Sequence, residues 1–402
     1  MLDRSNPSGS EGGINLLVLQ PTPFCNLDCR YCYLPDRSVN RKMEFGVLRE
    51  VVSKIVSSPY LASTLRVCWH AGEPTVLPVE YYEKAFSIIE SARPHGVKVE
   101  HLFQTNGTLL NEEWCEFFKR HSVAVGVSID GPEIINDTCR IDRQGNGTFK
   151  RTMQGIRLLQ RHDVLFHVIA VLSRASLSKA DVLFEFFVEH QIHQVCFNIE
   201  EQEGANPKSS LQYSEVETEF RNFFSIYYSR LESSGFPHWV REIDFAMNAV
   251  FWSDLAAPSN ALTEPFASVN VDYLGNFATF CPELLSMKTE NYGQLVFGNL
   301  LADRLEDCSS NKIFQRANED IQEGVRLCKE TCSYFGVCGG GAPSNKLYEN
   351  GTFASSETLF CRLIIKAMTD LALGWVEEKF SSVTPPTIMA NRGATKDARE
   401  IS

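Results

Sequence analysis

CNLDCRYC, residues 25–32, puts three thiols, Cys25, Cys29 and Cys32, on one short loop directly behind the apolar run Ile14–Leu19. Three thiolates at this spacing suit three irons of a cubane and leave the fourth iron without a protein ligand, open to an exogenous chelator. A zinc site ordinarily takes four protein ligands, and no histidine stands near in sequence to complete such a set. The loop follows a strand-like run, so the fold is decided by what comes after it.

Working outward, apolar β-branched runs recur at Ile14–Leu19, Leu65–Trp69, Val97–Phe103, Ala124–Ile129, Leu165–Leu172 and Gln194–Ile199. Amphipathic stretches of helical period separate them: Phe45–Ser57, Val79–Ala92, Glu112–Arg120, Thr152–His162 and Lys179–His190. Alternating strands and helices predict a parallel sheet with right-handed crossovers. Six units make either an open doubly wound sheet or a curved partial barrel, and in both the chemistry sits at the carboxyl ends of the strands. The polar clusters fall there: CNLDCRYC after the first run, HAGEP after the second, QTNGT, SIDGP, and NIEEQEG after the sixth.

Bulk properties narrow the function. The 402 residues allow one large and one smaller domain; 44% are hydrophobic and 22% charged, as in ordinary globular proteins. A formal charge of −12, with no basic run, argues against nucleic acid and anionic membranes as partners. No apolar stretch approaches a bilayer span, and the polar start MLDRSNPSGSEGG lacks a secretory core. The expectation is a cytoplasmic protein, whose 13 cysteines more often serve metal than disulfides. Beyond Glu203 the pattern changes: helices are predicted over Ser214–Leu231 and Arg241–Trp252, then a hairpin of Ala267–Val271 and Phe277–Phe280. A last helix, Leu363–Lys379, precedes the tail. The domain reading is a flexible 1–13, a barrel over 14–240, a bridge over 241–265, a second domain over 266–379 and a disordered tail over 380–402. A second cysteine cluster, Cys328, Cys332, Cys338 and Cys361, can enclose either a cubane or a zinc ion.

These motifs resemble the radical S-adenosylmethionine superfamily, in which a C-x3-C-x2-C loop with an aromatic residue before the third cysteine binds a 4Fe-4S cluster. The resemblance implies an α/β partial (β/α)6 barrel, and S-adenosylmethionine chelating the open iron through its methionyl amine and carboxylate. Reduction of the sulfonium then yields a 5′-deoxyadenosyl radical. By the same resemblance Gly72 and Glu73, in a GEP-type motif, bind the methionyl amine. Gln104, Asn106, Ser128 and Asp130 contact the ribose and carboxylate, Tyr31 packs near the adenine, and Arg140 is a carboxylate partner whose alternative is a surface salt bridge.

The run CKETCSYFGVCGGGAPSNKLYENGTFASSETLFC resembles the SPASM extension of peptide-modifying members. That favours a second, auxiliary 4Fe-4S cluster on Cys328, Cys332, Cys338 and Cys361. The full seven-cysteine pattern is not kept: Ala342, Pro265 and Phe266 stand where it has cysteines, only Cys281 remains of the second set, and Cys308 is not in a matching position. One auxiliary cluster is expected. CNLDCRYCYLPDR, WHAGEPT, FNIEEQEGAN, PELL and CGGGAPSNKLYENGTF resemble cyclophane-forming maturases of glycine-rich-repeat precursors. The resemblance implies a ribosomally made precursor peptide with aromatic residues and a reducing partner such as flavodoxin or ferredoxin. It implies a carbon–carbon link between an aromatic ring and the β-carbon of a residue two positions on. The ring proton needs a base, for which Glu200, Glu201 and Glu283 are the candidates. The alternatives are formylglycine formation in sulfatases, which should keep the second cysteine set, thioether formation on a cysteine-rich peptide, and a non-catalytic zinc scaffold.

Overall fold

The computed structural model describes residues 13–252, 259–285 and 287–382. The expected flexible start and disordered tail lie, but for Gly13 and residues 380–382, outside them.

The first half alternates as the periodicity predicts: β1 (Ile14–Leu19), α1 (Phe45–Val56), β2 (Leu61–Trp69), α2 (Val79–Ala92), β3 (Lys98–Thr105), α3 (Glu112–Arg120), β4 (Ala124–Ser128). After two helices that share one crossover, α4 (Glu133–Cys139) and α5 (Phe149–Arg161), come β5 (Phe166–Leu172), α6 (Arg174–Leu177), α7 (Ala180–Glu189) and β6 (Gln194–Ile199). β1 to β6 pair in chain order, all parallel. α3 sets its own ends: it starts where Asn111 Oδ1 accepts from Trp114 N at 3.0 Å, with Glu112 and Glu113 in the first turn and Lys119 and Arg120 in the last.

Alternation along each strand divides the sheet's faces. Leu17, Leu19, Val67, Trp69 and Phe103 meet the helices in the main core, while Leu16, Val18 and Cys68, with Leu102, form a separate small cluster on the other face. Trp69, Tyr82, Phe103 and Phe117 interlock between sheet and helices at ring separations of 4.8–6.4 Å. Truncating any one of these would cost about 3–5 kcal/mol.

The chain continues through α8 (Val216–Ser234), ended by Gly235 in the left-handed region at φ 65°, then β7 (Trp239–Val240) and α9 (Arg241–Trp252). The hairpin β8 (Ser268–Val271) and β9 (Asn276–Thr279) follows, then the short pair β10 (Lys288–Thr289) and β11 (Gly293–Gln294), and β12 (Gly298–Asn299). β8 lies parallel against β1 and β7 against β6, so one sheet of ten strands runs β12-β9-β8-β1-β2-β3-β4-β5-β6-β7. The hairpin expected to open a second domain thus extends the barrel sheet. The remainder is helical: α10 (Lys312–Thr331), α11 (Phe335–Cys338), α12 (Pro343–Asn350), a π-helical stretch Cys361–Ala367 and α13 (Met368–Ser382). No helix among the described residues is long and apolar enough to cross a membrane.

Candidate active site

The loop bearing Cys25, Cys29 and Cys32 leaves the carboxyl end of β1 and is pinned by its neighbours. Cys25 N donates to Arg37 O at 3.0 Å, Arg30 N to Cys139 O at 3.0 Å and Asp28 N to Ile141 O at 2.8 Å. Arg37 Nη1 donates to Cys29 O at 3.0 Å, and Arg143 Nε to Cys25 O at 2.8 Å. Residues 139–143, behind α4, therefore act as a strap across the loop. Burial pushes the Cys25 thiol up to about 12, with Glu73 adding to it. It pushes Cys29 up to about 11, against the pull of Arg140. Thiols so placed stay protonated at neutral pH unless a cation takes the thiolate, which is the behaviour of a metal donor set. Three thiols on one loop, with no histidine near in sequence, suit a cubane, which takes one thiolate per iron at separate corners. The three cysteines fit a cubane.

The GEP turn docks on this loop. Ala71 and Gly72 both take positive φ, 70° and 59°. A Cβ on Gly72 would lie 2.4 Å from Thr22 O and 2.5 Å from Phe24 O, so only glycine permits the approach. Glu73 N donates to Phe24 O at 2.8 Å. The Glu73 carboxylate, 1% exposed, accepts from Thr75 N (3.0 Å), Thr75 Oγ1 and Thr105 Oγ1 (both 2.6 Å) and Asn106 N (2.7 Å). Both its oxygens are thus engaged in tying the end of β2 to the end of β3. Asn106 carries the tie onward, donating from Nδ2 to Asn26 Oδ1 at 2.9 Å and reaching Cys25 Sγ at 3.9 Å. Gln104 Nε2 donates to Ser128 Oγ at 2.9 Å, linking β3 to β4.

Asp130, behind β4, is 3% exposed and accepts from Tyr31 Oη at 2.5 Å, Arg140 Nε at 3.0 Å and Val171 N at 3.0 Å. Arg140 also lies over the Tyr31 ring, 5.4 Å from its centroid. At 6% exposure Arg140 is buried, which overturns the alternative of a surface salt bridge. Burial opposes its charge, but Asp130, Tyr31 and Cys29 outweigh that and move its pKa up. Tyr31, Asp130 and Arg140 form one network that holds the third turn of the cluster loop to the end of β4.

Of the three carboxylates singled out from sequence, the structure groups two and adds a fourth. Glu200 turns aside to a hydrogen bond from Ser210 Oγ. Glu201 Oε1 accepts from Asn345 Nδ2 at 2.8 Å. Glu203, which the sequence reading passed over, is 5% exposed, and burial raises its pKa well above the carboxylate range, with Glu283 and then Glu201 adding to the rise. Its signal was present: it is the last acid of EEQEG, just ahead of Gly204, whose positive φ of 56° turns the loop onto Tyr33. Ala205 N donates to Tyr33 O at 2.7 Å. Tyr348 Oη donates to Glu283 O at 3.2 Å. The loop after β6 therefore touches the loop that bears Cys25, Cys29 and Cys32 on one side and α12, behind the second cysteine set, on the other. Tyr33 and His70, also missed, meet here at 3.1 Å, and burial lowers the His70 pKa to about 3, leaving the imidazole neutral.

The second set is drawn from α10 (Cys328), the turn after it (Cys332), the end of α11 (Cys338) and the start of the π-helical stretch (Cys361). Gly339, Gly340 and Gly341 run at φ 62°, 114° and 75°, a path open only to glycine. It aims the Gly340 and Gly341 N–H groups at the Cys338 sulfur. Burial pushes Cys361 up to about 12, with Cys338 and Cys332 adding to it. Cys328 and Cys361 are buried and Cys332 and Cys338 half-buried, and backbone donors aimed at sulfur are what iron–sulfur ligands have. Cys281 and Cys308 sit instead in the apolar core, 1% and 2% exposed, and Ser344 hydrogen-bonds the Cys281 sulfur. Phe266 stacks on Tyr60 (5.1 Å) and Phe314 (6.2 Å), and Phe280 stacks on Phe314 (6.1 Å). Aromatic packing thus fills the ground ahead of the hairpin where the full pattern has cysteine.

Comparison with known proteins agrees with this geometry. The family model described as Radical SAM superfamily matches residues 19–186. An uncharacterized protein of Synechocystis sp. is 42% identical over 374 residues, 91% of this chain and 93% of that protein. The serine-type anaerobic sulfatase-maturating enzyme of Klebsiella aerogenes is 32% identical over 201 residues, 49% of this chain and 50% of that enzyme. Among solved structures, anSMEcpe with bound AdoMet and Cp18Cys peptide superposes with a TM-score of 0.73 at 19% identity, covering 92% of this chain and 99% of that one. SuiB of Streptococcus suis bound to precursor peptide SuiA gives 0.60 at 14% identity, covering 88% and 76%. The chain belongs to the radical SAM superfamily.

Proposed function

We propose that this enzyme modifies a ribosomally made precursor peptide, joining an aromatic ring carbon to the β-carbon of a nearby residue to close a three-residue cyclophane. Cys25, Cys29 and Cys32 would hold the radical cluster, and Cys328, Cys332, Cys338 and Cys361 an auxiliary one. When bound, the first cluster with S-adenosylmethionine supplies abstraction of a hydrogen atom from the β-carbon, and the second an acceptor for the single electron that rearomatisation releases. The peptide loses two hydrogens in all: one as that atom, one as a ring proton with its electron.

The observation that carries this reading is the place of the carboxylates. Glu203 stands on the loop after β6, which touches Tyr33 on one side and, through Glu201, Asn345 on the other, and Glu283, in the turn after β9, lies near enough to raise its pKa while its carbonyl accepts from Tyr348. A ring proton delivered there meets Glu203, whose affinity for a proton is raised by burial and by the neighbouring carboxylates. The acidic surface and the absence of a basic run suit a peptide better than a phosphate-bearing substrate. The reductant is an external low-potential donor of the flavodoxin or ferredoxin kind.

Likeness to the sulfatase-maturating enzyme supports a second reading, oxidation of a serine or cysteine to formylglycine. The aromatic packing at Phe266 and the alanine at 342 favour the first. Anaerobic turnover with a candidate precursor peptide separates them. A product lighter by the mass of two hydrogens, inert to hydrazide and crosslinked by tandem mass spectrometry, supports the cyclophane; a hydrazide-reactive aldehyde overturns it.

A further inference from the structure

Lys346 is a lysine in a place where lysine is rarely found. It stands on α12, 2% exposed, with Nζ 3.4 Å from Cys328 Sγ. Among the described residues no carboxylate pairs with it; its hydrogen-bond partner is that sulfur. The fold makes room for it deliberately. Gly324 lies one turn before Cys328 on α10, and a Cβ there would come 3.0 Å from Lys346 Nζ and 2.3 Å from Phe353 O. A buried ammonium without an anion is costly enough that interiors nearly always provide a partner. Four thiolates around a cubane carry net negative charge, and such an anion on Cys328, Cys332, Cys338 and Cys361 is the missing partner.

We propose that Lys346 is the fixed counter-ion of the auxiliary cluster, donating to the Cys328 sulfur and holding the cluster's reduction potential high enough to take the electron the peptide gives up. The reasoning is electrostatic. One-electron reduction adds one negative charge to a site shielded from water, and a cation a few ångströms away favours the reduced state. Hydrogen bonds to ligand sulfur act in the same direction, and net charge and such bonds are the levers by which proteins set cluster potentials. Lys366, by contrast, pairs with Glu357 at the surface and cannot take over this part. Lys346 is a positioning and tuning residue and touches neither peptide nor S-adenosylmethionine. The inference rests on the proposed reading that these four cysteines hold a cluster.

The test uses the full-length chain with Cys25, Cys29 and Cys32 changed to alanine, so that the auxiliary signal stands alone. Iron is counted, and the cluster is titrated with dithionite and followed by electron paramagnetic resonance. If this parent carries no iron, the reading of the four cysteines fails, whatever Lys346 does. If it carries about four irons, three variants decide the inference. Lys346→Met should keep the iron and titrate at a distinctly lower potential; Lys346→Gln, which keeps a donor but not the charge, should fall between; Lys346→Arg should stay close to the parent. Loss of iron in Met and Gln with retention in Arg also supports a required cation. An unchanged potential in Met and Gln at full iron content overturns the inference, as does loss of iron in all three.

Discussion

Asp130→Ala tests whether the Tyr31–Asp130–Arg140 network holds the cluster loop to the barrel. The Arg140 guanidinium, with 8% of its side chain exposed, loses its charge partner at 3.0 Å. Tyr31 Oη and Val171 N lose the acceptors they now reach at 2.5 and 3.0 Å. Stranding a buried charge costs about 3–5 kcal/mol, and a stranded neutral donor about 1–3 kcal/mol. The three donors share one acceptor, so these figures do not add. About 4 kcal/mol is the expected loss, close to that of the broken ion pair alone. Asp130→Ala with Arg140→Met removes the stranded charge as well and should recover roughly half of it, a coupling on the order of 2 kcal/mol. Urea unfolding of the full-length protein under argon measures each variant, read from midpoints with the slope checked for constancy. A single-variant loss below about 1 kcal/mol, the range of an exposed pair, would refute the reasoning. Strict additivity of the two changes would refute it as well.

Four further expectations follow from the same geometry. Glu203 has its pKa raised in the folded state, so its contribution to stability is full below the ordinary carboxylate pKa and is lost as pH rises through the raised value; Glu203→Gln should flatten the decline in thermal midpoint between mildly acid and mildly alkaline pH, and an unchanged decline would show the group is not buried as described. The same variant should still cleave S-adenosylmethionine while crosslinking peptide more slowly. Gly72→Ala, which would bring a Cβ within 2.4 Å of Thr22 O at a φ of 59°, should abolish S-adenosylmethionine binding measured by equilibrium dialysis, while a rise in affinity or no change would contradict the docking of that turn. Reconstituted protein should hold about eight irons, and changing Cys281 and Cys308 together to alanine should leave that count unaltered; a reproducible value near twelve would mean a third cluster.

Local pattern carried most of the barrel. The helix read over Val79–Ala92 is the helix observed, because its apolar residues recur on one face. The polar strings at the strand ends were legible for the same reason: a parallel sheet gathers them at one edge, and CNLDCRYC, with Phe24 just ahead of it, does meet HAGEP, QTNGT and SIDGP through Phe24–Glu73, Asn26–Asn106 and Tyr31–Asp130. What pairing at long range decides was not legible. β8 joins β1 across about 250 residues of chain, and nothing in either strand's own sequence names the other. α10, Lys312–Thr331, was not read as a helix although Phe314, Ala317, Ile321, Gly324 and Cys328 line its buried face, because the polar residues between them outweigh that stripe. Glu203, Tyr33 and Lys346 escaped for one reason. Charge and hydroxyl groups predict exposure, and here their burial is imposed by loops that meet only once the sheet has closed around them.

The central claim is that Cys25, Cys29 and Cys32 hold a cluster with one iron open to S-adenosylmethionine, and reductive cleavage measures it most directly. Full-length reconstituted protein, incubated anaerobically with S-adenosylmethionine and dithionite, should release 5′-deoxyadenosine on quantitation by liquid chromatography. The protein with all three cysteines changed to alanine should release none while keeping about four irons on its second cysteine set. 5′-Deoxyadenosine from that variant at the wild-type rate would contradict the account.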